Sequence, residues 1–359
     1  MLSTIIPIDN YECDYKLGSK NLNKGVEYVI NTNWAKTLNL NPTPFEIPNY
    51  NSSIDLTNKK LLIIRAMGAG DLLFLSPSIK YIKEKYPTCQ IGIACIKEQH
   101  GIANMIPGVD ETLDYPMEKN KFDEYDHYLQ VAEVIEGNPE NKDKNIYSAY
   151  FEIVTTENID SNNFRPIIKT DLFNGFETKR NVIGIHPFAN DPIRSLNSNI
   201  IFELYKKLKR KGFWPIIIGT ENEFNRYHQL KKCKWSFKEF PTYKDTVKLI
   251  SQCEFVISSD SLITHLAQAI GTETICIYGP FPSKSRVSEY KNIHIIDSNP
   301  ECRCYMHQLG HCRRGLPEPV CLRFDIGSII DIVERNNIFI AEPTTVSTPE
   351  IEFYGMTNE

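Results

Sequence analysis

The sequence lacks several features that would place it in a specialised class of protein. Its apolar runs fall far short of the roughly 20 residues that cross a bilayer, and residues 1 to 16 lack the basic and apolar segments of a secretory signal. The net charge of -5 gives no general attraction to nucleic acid or anionic membrane, although a local basic face and peripheral membrane contact stay open. These absences predict a cytoplasmic protein without a transmembrane segment.

Three motifs for metal and nucleotide binding are also missing. No Asp-x-Asp occurs, which disfavours an enzyme that clamps a sugar nucleotide through a divalent cation. The loop RAMGAGDLLFLSP, residues 65 to 77, offers Gly68 and Gly70 to a dinucleotide fingerprint, but Leu73 replaces its third glycine. The same loop lacks the lysine and hydroxyl of a P-loop. An NAD-dependent oxidoreductase is therefore disfavoured.

Apolar strands and amphipathic helices alternate in two stretches of the 359 residues, which predicts two Rossmann-like α/β domains. In the first stretch, a strand at 60 to 66 is followed by one helix from about Asp71 to Tyr86. In the second, strands at 181 to 187, 214 to 220, 254 to 260 and 273 to 280 alternate with helices. The predicted boundaries are an irregular N-terminal extension at 1–57, Rossmann-like domains at 58–178 and 179–324, and a C-terminal helix and tail at 325–359.

Asp71 has two interpretations from the sequence alone. As the acidic residue where a helix begins, it fits an N-cap. It also fits a catalytic carboxylate. In either role, a carboxylate at the positive end of a helix occupies the place that a bound phosphate would need. The loop is therefore not a convincing phosphate site.

The stretch SSDSLITHLAQAIG in the second half is a better candidate for an anion site. A strand ends at Asp260 and a helix opens with Ser261, so the first turn offers unpaired backbone N–H groups and a hydroxyl. His265 lies on the same helix face as Ser261. A capped core helix with a buried, hydrogen-bonded histidine explains the pattern equally well.

Two polar loops follow strands on the same predicted sheet edge, where open α/β sheets bind ligands. Arg194, in IHPFANDPIRS, could pair with a diphosphate as a planar fork. Glu221, in IIGTENEFNR, could accept hydrogen bonds from ribose hydroxyls. Solvated loops account for either residue taken singly.

Four of the ten cysteines fall within twenty residues. In a reducing compartment this spacing favours a structural Zn or Fe site over disulfides, and four thiolates would close the coordination shell. The alternative is a set of reduced, incidental thiols. The residues are Cys302, Cys304, Cys312 and Cys321, with His307 and His311 as substitutes for one thiolate.

Two motifs together resemble glycosyltransferase family 9, the ADP-heptose:lipopolysaccharide heptosyltransferases. The first has an arginine after a strand, Gly-Asp, an apolar helix and a proline one turn in. The second is Asp-Ser/Thr-Gly-x-x-His followed by a strand that ends in Gly-Pro. The matching residues are Arg65, Gly70, Asp71, Pro77, Asp260, Ser261, His265, Leu266, Ala267, Ala269, Gly271, Gly279 and Pro280, and Cys321-Leu322 fits a Cys-Leu common in the family.

The resemblance implies a GT-B fold, in which an acceptor-binding domain and a donor nucleotide-binding domain face each other across a cleft. It implies an inverting transfer of heptose from an ADP-linked donor to a saccharide such as a lipopolysaccharide core, without a catalytic metal. Asp71 is then the general base. The implied acceptor residues are Arg65, Gly68 and Gly70, and the implied donor residues are Arg194, Glu221, Tyr243, Asp260, Ser261, Leu262, Ile263, Thr264 and His265.

Two departures from the family pattern leave other functions open. Leu262 stands where the family has glycine, and Arg194 where it has a phosphate-binding lysine. The alternatives are the same fold acting with another sugar nucleotide on protein or modified DNA, and a non-catalytic glycan- or nucleotide-binding module.

Overall fold

The computed structural model describes residues 2–7, 11–15, 18–44, 50–51, 53–131, 134, 144–155, 164–227, 230, 237–239, 242–297, 312, 315–316 and 320–336. The chain divides into one unit that ends at Phe324 and a second that begins at Asp325. Among the described residues, no helix is both long and apolar enough to cross a membrane.

The N-terminal residues form antiparallel strands, which differs from the irregular extension predicted for 1–57. The strands are only two to five residues long, so no periodicity shows in the sequence. Ile5, Leu22, Tyr28, Ile30 and Ala35 form their buried core. The elements are β1 (Leu2–Ile5), β2 (Tyr11–Tyr15), β3 (Gly18–Leu22), β4 (Tyr28–Asn31), α1 (Thr32–Thr37) and β5 (Thr43–Pro44).

The first parallel sheet follows. Its elements are β6 (Lys60–Ile64), α2 (Ala69–Phe74), α3 (Ser76–Lys85), β7 (Gln90–Cys95), α4 (His100–Ala103), β8 (Glu111–Asp114), β9 (Met117–Glu118), α5 (Lys119–Phe122), β10 (His127–Gln130) and α6 (Ile146–Thr155). The strand order is β10-β6-β7-β8, all parallel. β9 instead pairs with β4, which gives the N-terminal sheet the order β5-β1-β4-β9.

The helix predicted from Asp71 to Tyr86 is two helices that meet at Leu75. Pro77 has no N–H to donate to the carbonyl of Leu73, so the α-helical ladder stops there. The Ser76 hydroxyl donates to that carbonyl instead, at 2.6 Å. The break turns α2 into a short, separate helix, and α2 carries Asp71.

The second parallel sheet has six strands. Its elements are β11 (Lys179–His186), α7 (Ser198–Arg210), β12 (Trp214–Gly219), α8 (Glu221–Arg226), β13 (Phe237–Glu239), α9 (Tyr243–Ser251), β14 (Cys253–Ser259), α10 (Leu262–Ile270), β15 (Glu273–Tyr278), α11 (Ser283–Val287) and β16 (Ile293–Asp297). The strand order is β13-β12-β11-β14-β15-β16. The unit that begins at Asp325 contains α12 (Ile326–Asn336).

Both parallel sheets have the connectivity of a Rossmann fold. Counted in chain order, the second sheet is 3-2-1-4-5-6 and the first is 4-1-2-3, the same pattern with fewer strands. The order reverses between β11 and β14 in one sheet and between β6 and β10 in the other. Ligands bind at the carboxyl ends of strands beside such a reversal, and the loops after β6 and β14 are the two that carry the predicted motifs. The predicted fold class, with two Rossmann-like parallel sheets, is confirmed, and the bounds given for the domains stay a prediction.

Candidate active site

The loop after β6 folds the Asp71 carboxylate back over Gly68. Gly68 is the N-cap of α2 and has φ +94°, and a Cβ at this position would overlap the Asp71 carboxylate. Asp71 lies in the first turn of the helix, so the N-cap interpretation of Asp71 is wrong. The side-chain amide oxygen of buried Gln99 faces the loop and accepts hydrogen bonds from the N–H groups of Gly68 (2.9 Å) and Ala69 (3.3 Å). Gln99 thus takes the place of a side-chain cap at the start of α2.

Asp71 forms an ion pair with Arg65, the first residue after β6. A guanidinium nitrogen of Arg65 donates to the Asp71 carboxylate, and the two side chains are 16% and 26% exposed. The carboxylate is therefore held in one orientation while part of its surface still faces solvent. A fixed, accessible carboxylate is suited to accept a proton from a bound hydroxyl.

The loop after β14 is held by buried hydroxyl groups. The Thr264 hydroxyl lies 2.6 Å from that of Ser258 and donates to the carbonyl of Ser259 at 2.8 Å. The Thr264 side chain is thus occupied in fixing the turn. Ser261 is the N-cap of α10 but its side chain makes no capping hydrogen bond; its hydroxyl lies 3.3 Å from Nδ1 of His186. The first amides of α10, at Leu262 and Ile263, are thus left without that cap.

Two arginines surround the buried carboxylate of Asp260. Arg194 donates to the Asp260 carbonyl at 3.2 Å and to its carboxylate at 3.4 Å. The guanidinium groups of Arg194 and Arg286 both lie over the Phe281 ring, at 5.6 and 5.3 Å from its centre. Burial alone would raise the pKa of Asp260, but the two guanidinium groups outweigh burial and lower it. The cluster is therefore ionised, with one positive charge in excess.

His265 lies where the two halves of the chain meet, the first half being built on the sheet of β6 and the second on the sheet of β14. Its ring packs edge-on against Phe74 of α2, with 4.9 Å between ring centres, and a Cβ on Gly70 would lie 3.4 Å from His265 Cδ2 and 3.9 Å from Nε2. Tyr290 lies 2.6 Å from its Nδ1. Burial lowers the pKa of His265 to about 4, although Asp260 opposes this.

Predicted residues from both halves of the chain therefore meet at His265. Asp260, Arg286, Asp71 and Arg194 all act on the pKa of His265 through their charges. Asp71 comes from the first half, and the others come from the second. One site thus combines two carboxylates, two guanidinium groups, a neutral histidine and the N-terminus of α10.

Two predicted donor residues stand apart from this cluster. Glu221 is exposed in the first turn of α8. The neighbouring Glu223 forms a capping box with Thr220. Tyr243 begins α9 and packs on α4, since a Cβ on Gly101 would lie 2.8 Å from Tyr243 Cδ2.

Half of the cysteine cluster can be located. Cys302 and Cys304 lie outside the described residues, as do His307 and His311. Cys312 and Cys321 are both buried. Among the residues that the structure describes, no three His, Cys, Asp or Glu side chains are grouped to hold a metal.

Sequence reasoning missed three residues of the site. Arg286 follows the Gly279-Pro280 turn in FPSKSR, and a basic residue so soon after a strand end was the available signal. Tyr290 and Tyr147 belong to no motif, and Tyr147 falls in the stretch 117 to 178 where the predicted rhythm weakens. Their proximity to His265 follows only from tertiary packing.

Comparison with known proteins agrees with this geometry. Residues 168–310 match the model of "Glycosyltransferase family 9 (heptosyltransferase)". No curated protein sequence matches the chain.

Several solved structures share the fold. A family 9 glycosyltransferase from Veillonella parvula has a TM-score of 0.58 at 11% identity, covering 79% of this chain and 98% of that one. ADP-heptose lps heptosyltransferase II from E. coli has a TM-score of 0.59 at 14% identity, covering 77% and 98%. The iron-containing dodecameric glycosyltransferase TibC from enterotoxigenic E. coli has a TM-score of 0.59 at 13% identity, covering 93% and 91%. The predicted resemblance to family 9 is therefore confirmed over residues 168–310, which match the family model, and the chain has the GT-B fold of the solved heptosyltransferases.

Proposed function

We propose that the protein is an inverting glycosyltransferase that moves a sugar from a nucleoside diphosphate donor to a hydroxyl of a saccharide acceptor. The observation that carries the proposal is the contact of the Gly70 loop with His265. It brings a partly exposed carboxylate from one half against a cationic site in the other. A displacement at a sugar carbon needs a base on one side of that carbon and a stabilised leaving group on the other.

Asp71 is the proposed base. The acceptor oxygen attacks the anomeric carbon, the bond from that carbon to the diphosphate oxygen breaks, and the acceptor proton passes to the Asp71 carboxylate. A carboxylate is basic enough because the hydroxyl becomes acidic as its new bond forms. A single displacement of this kind inverts the configuration at the sugar carbon. Arg65 orients the carboxylate through the ion pair, and the loop that contains Gly68 and Gly70 is proposed to bind the acceptor.

Cationic groups of the second half are proposed to stabilise the departing diphosphate. Arg194 and Arg286 supply planar donors suited to phosphate oxygens. The amides of Leu262 and Ile263 lie at the positive end of the α10 dipole. Because these groups neutralise the developing charge, the reaction proposed here needs no divalent cation.

ADP-heptose is the proposed donor. The family 9 match covers the donor half of the chain, and E. coli relatives of the same fold carry ADP-heptose in their names. Glu221 and Tyr243 are proposed to approach the ribose and the adenine, respectively. For Tyr243, the support is its half-buried place at the junction with α4.

A donor screen tests the function. Release of nucleoside diphosphate is followed across ADP-, UDP-, GDP- and TDP-sugars, with saccharide acceptors present and absent. We expect acceptor-dependent release from an ADP-sugar. Acceptor-dependent release from another nucleotide sugar would contradict the ADP assignment. Binding of a nucleotide sugar without release for any saccharide, protein or DNA acceptor would instead identify a non-catalytic binding module.

We also propose that the cysteine-rich segment holds a structural Zn or Fe. The support is the spacing of Cys302, Cys304, Cys312 and Cys321 and the burial of the last two. Elemental analysis should find about one metal ion per chain, as a four-thiolate site binds, and Cys302→Ser should lose it while Cys13→Ser keeps it. Protein that is active and free of both metals would contradict this part of the proposal.

A further inference from the structure

A chain of three buried polar groups runs through the site. The Tyr147 hydroxyl lies 2.6 Å from the Tyr290 hydroxyl, and the latter lies 2.6 Å from Nδ1 of His265. Tyr147 and His265 are 1% and 3% exposed. Tyr147 belongs to α6 in the first half and the other two belong to the second, so the chain connects the halves.

Only one direction of the hydrogen bonds among these three groups gives every hydroxyl proton an acceptor. If Tyr147 donates to Tyr290 and Tyr290 donates to His265, every hydroxyl proton has an acceptor. In the reverse direction, Nδ1–H donates to Tyr290 and Tyr290 donates to Tyr147. The Tyr147 proton then has no acceptor within the described part of the chain. A buried donor without an acceptor loses its hydrogen bond to water without replacing it, so the direction toward His265 is favoured.

The direction determines which nitrogen of His265 carries hydrogen. Burial lowers the pKa of His265 to about 4, so the ring is neutral near pH 7 and bears a single N–H. If Nδ1 accepts from Tyr290, that hydrogen must be on Nε2. The Cδ2–Nε2 edge is the one that faces Gly70. The Nε2–H group of His265 therefore lies on the side of the ring that faces the loop containing Asp71.

We propose that Tyr290 is a positioning residue that holds His265 in the Nε2–H tautomer, so that a neutral donor is presented to a diphosphate oxygen of the leaving group. This inference rests on the proposed function for its ligand, but not for its tautomer. A neutral donor next to two guanidinium groups adds a hydrogen bond without adding to their mutual repulsion. It favours the transition state because the oxygen gains negative charge as the bond to the sugar breaks. No proton leaves His265 in this step.

The tautomer is measurable without turnover. Protein labelled with ¹⁵N-histidine is observed at pH 7 by multiple-bond ¹H–¹⁵N correlation, and His265 is assigned by the signals missing in His265→Asn. We expect Nδ1 without hydrogen and Nε2 with it. In Tyr290→Phe, the preference for Nε2–H should be lost. An Nδ1–H form in the wild type, or an unchanged form in Tyr290→Phe, overturns the inference.

Tyr147→Phe is the matched control. It also removes one buried hydroxyl from the chain, but Tyr290 can still donate to Nδ1, so the Nε2–H form should persist. In transfer assays, Tyr290→Phe should lower kcat about tenfold, the equivalent of about 1.4 kcal/mol, with little change in KM for the donor. Tyr147→Phe should lower it less than threefold, on the order of 0.6 kcal/mol. Equal losses in the two variants would indicate a merely structural role and overturn the inference. The expected tautomer in a protein that transfers no sugar would instead refute the proposed function alone.

Discussion

Acid should lower the free energy of unfolding of the protein, because folding keeps His265 from taking up a proton. The pKa of the ring falls from 6.5 to about 4 on folding because burial penalises its charged form. Below pH 6.5 the unfolded chain therefore takes up a proton that the folded chain refuses. Stability is fully present above the unfolded pKa and falls as the pH drops toward the folded pKa. At about 1.4 kcal/mol for each pH unit, acidification from pH 7 to pH 5 should cost about 2 kcal/mol of unfolding free energy at this residue.

The assay compares urea unfolding of the wild type and His265→Asn at pH 7 and pH 5. Asparagine places an amide oxygen near the position of Nδ1, so Tyr290 keeps an acceptor and the variant should still fold. The variant should lose about 2 kcal/mol less than the wild type on acidification. Its remaining loss includes His186, whose pKa burial also lowers. Equal losses in the two proteins would show that His265 is not held neutral by burial, and would refute the electrostatic description of the site.

Two further substitutions test other parts of the site. Arg286→Met should weaken nucleoside diphosphate binding about tenfold or more, because a hydrogen bond to a charged group contributes about 1.5–3 kcal/mol. The control Lys206→Met, which removes a surface cation 4.8 Å from the centre of the Phe202 ring, should leave binding unchanged. Calorimetric titration of both variants with a nucleoside diphosphate measures the difference. Gly68→Ala and Gly212→Ala both strain a backbone with positive φ, at a cost of about 1–2 kcal/mol, and calorimetric melting should show a larger destabilisation in Gly68→Ala because only its methyl group also meets a side chain. Only Gly68→Ala should also abolish transfer, since its methyl group overlaps Asp71; equal activity in the two variants would contradict the placement of the carboxylate.

Residues close together in the sequence were the predictable part of this site. RAMGAGD and DSLITH each follow a buried strand, and the order of parallel strands places both at carboxyl edges. The family match independently supports the second motif. Asp71, Asp260 and His265 could therefore be named together before their contacts were known.

Contacts between distant residues could not be predicted. Tyr147 and Tyr290 are 143 residues apart and belong to no motif, so only the packing of α6 against the second half pairs them. The prediction of an irregular extension at 1–57 was wrong for a related reason. β4 is stabilised by pairing with Met117–Glu118, almost ninety residues later, and no local pattern records that pairing. The Asp71 side chain was ambiguous because an N-cap and a catalytic carboxylate occupy the same place in the sequence, and the φ of Gly68 settles which residue is the cap.

The most direct test of the account separates donor binding from transfer in Asp71→Asn. Donor affinity is measured by calorimetric titration and transfer by single-turnover product formation in the same preparation, with Asp123→Asn, an exposed carboxylate paired with Lys119, as the control. Loss of a positioned general base typically costs about 10²–10⁴-fold in rate. We expect a loss of that size in Asp71→Asn, with donor affinity unchanged and the control fully active. Transfer at the wild-type rate in Asp71→Asn would contradict the assignment of Asp71 as the base.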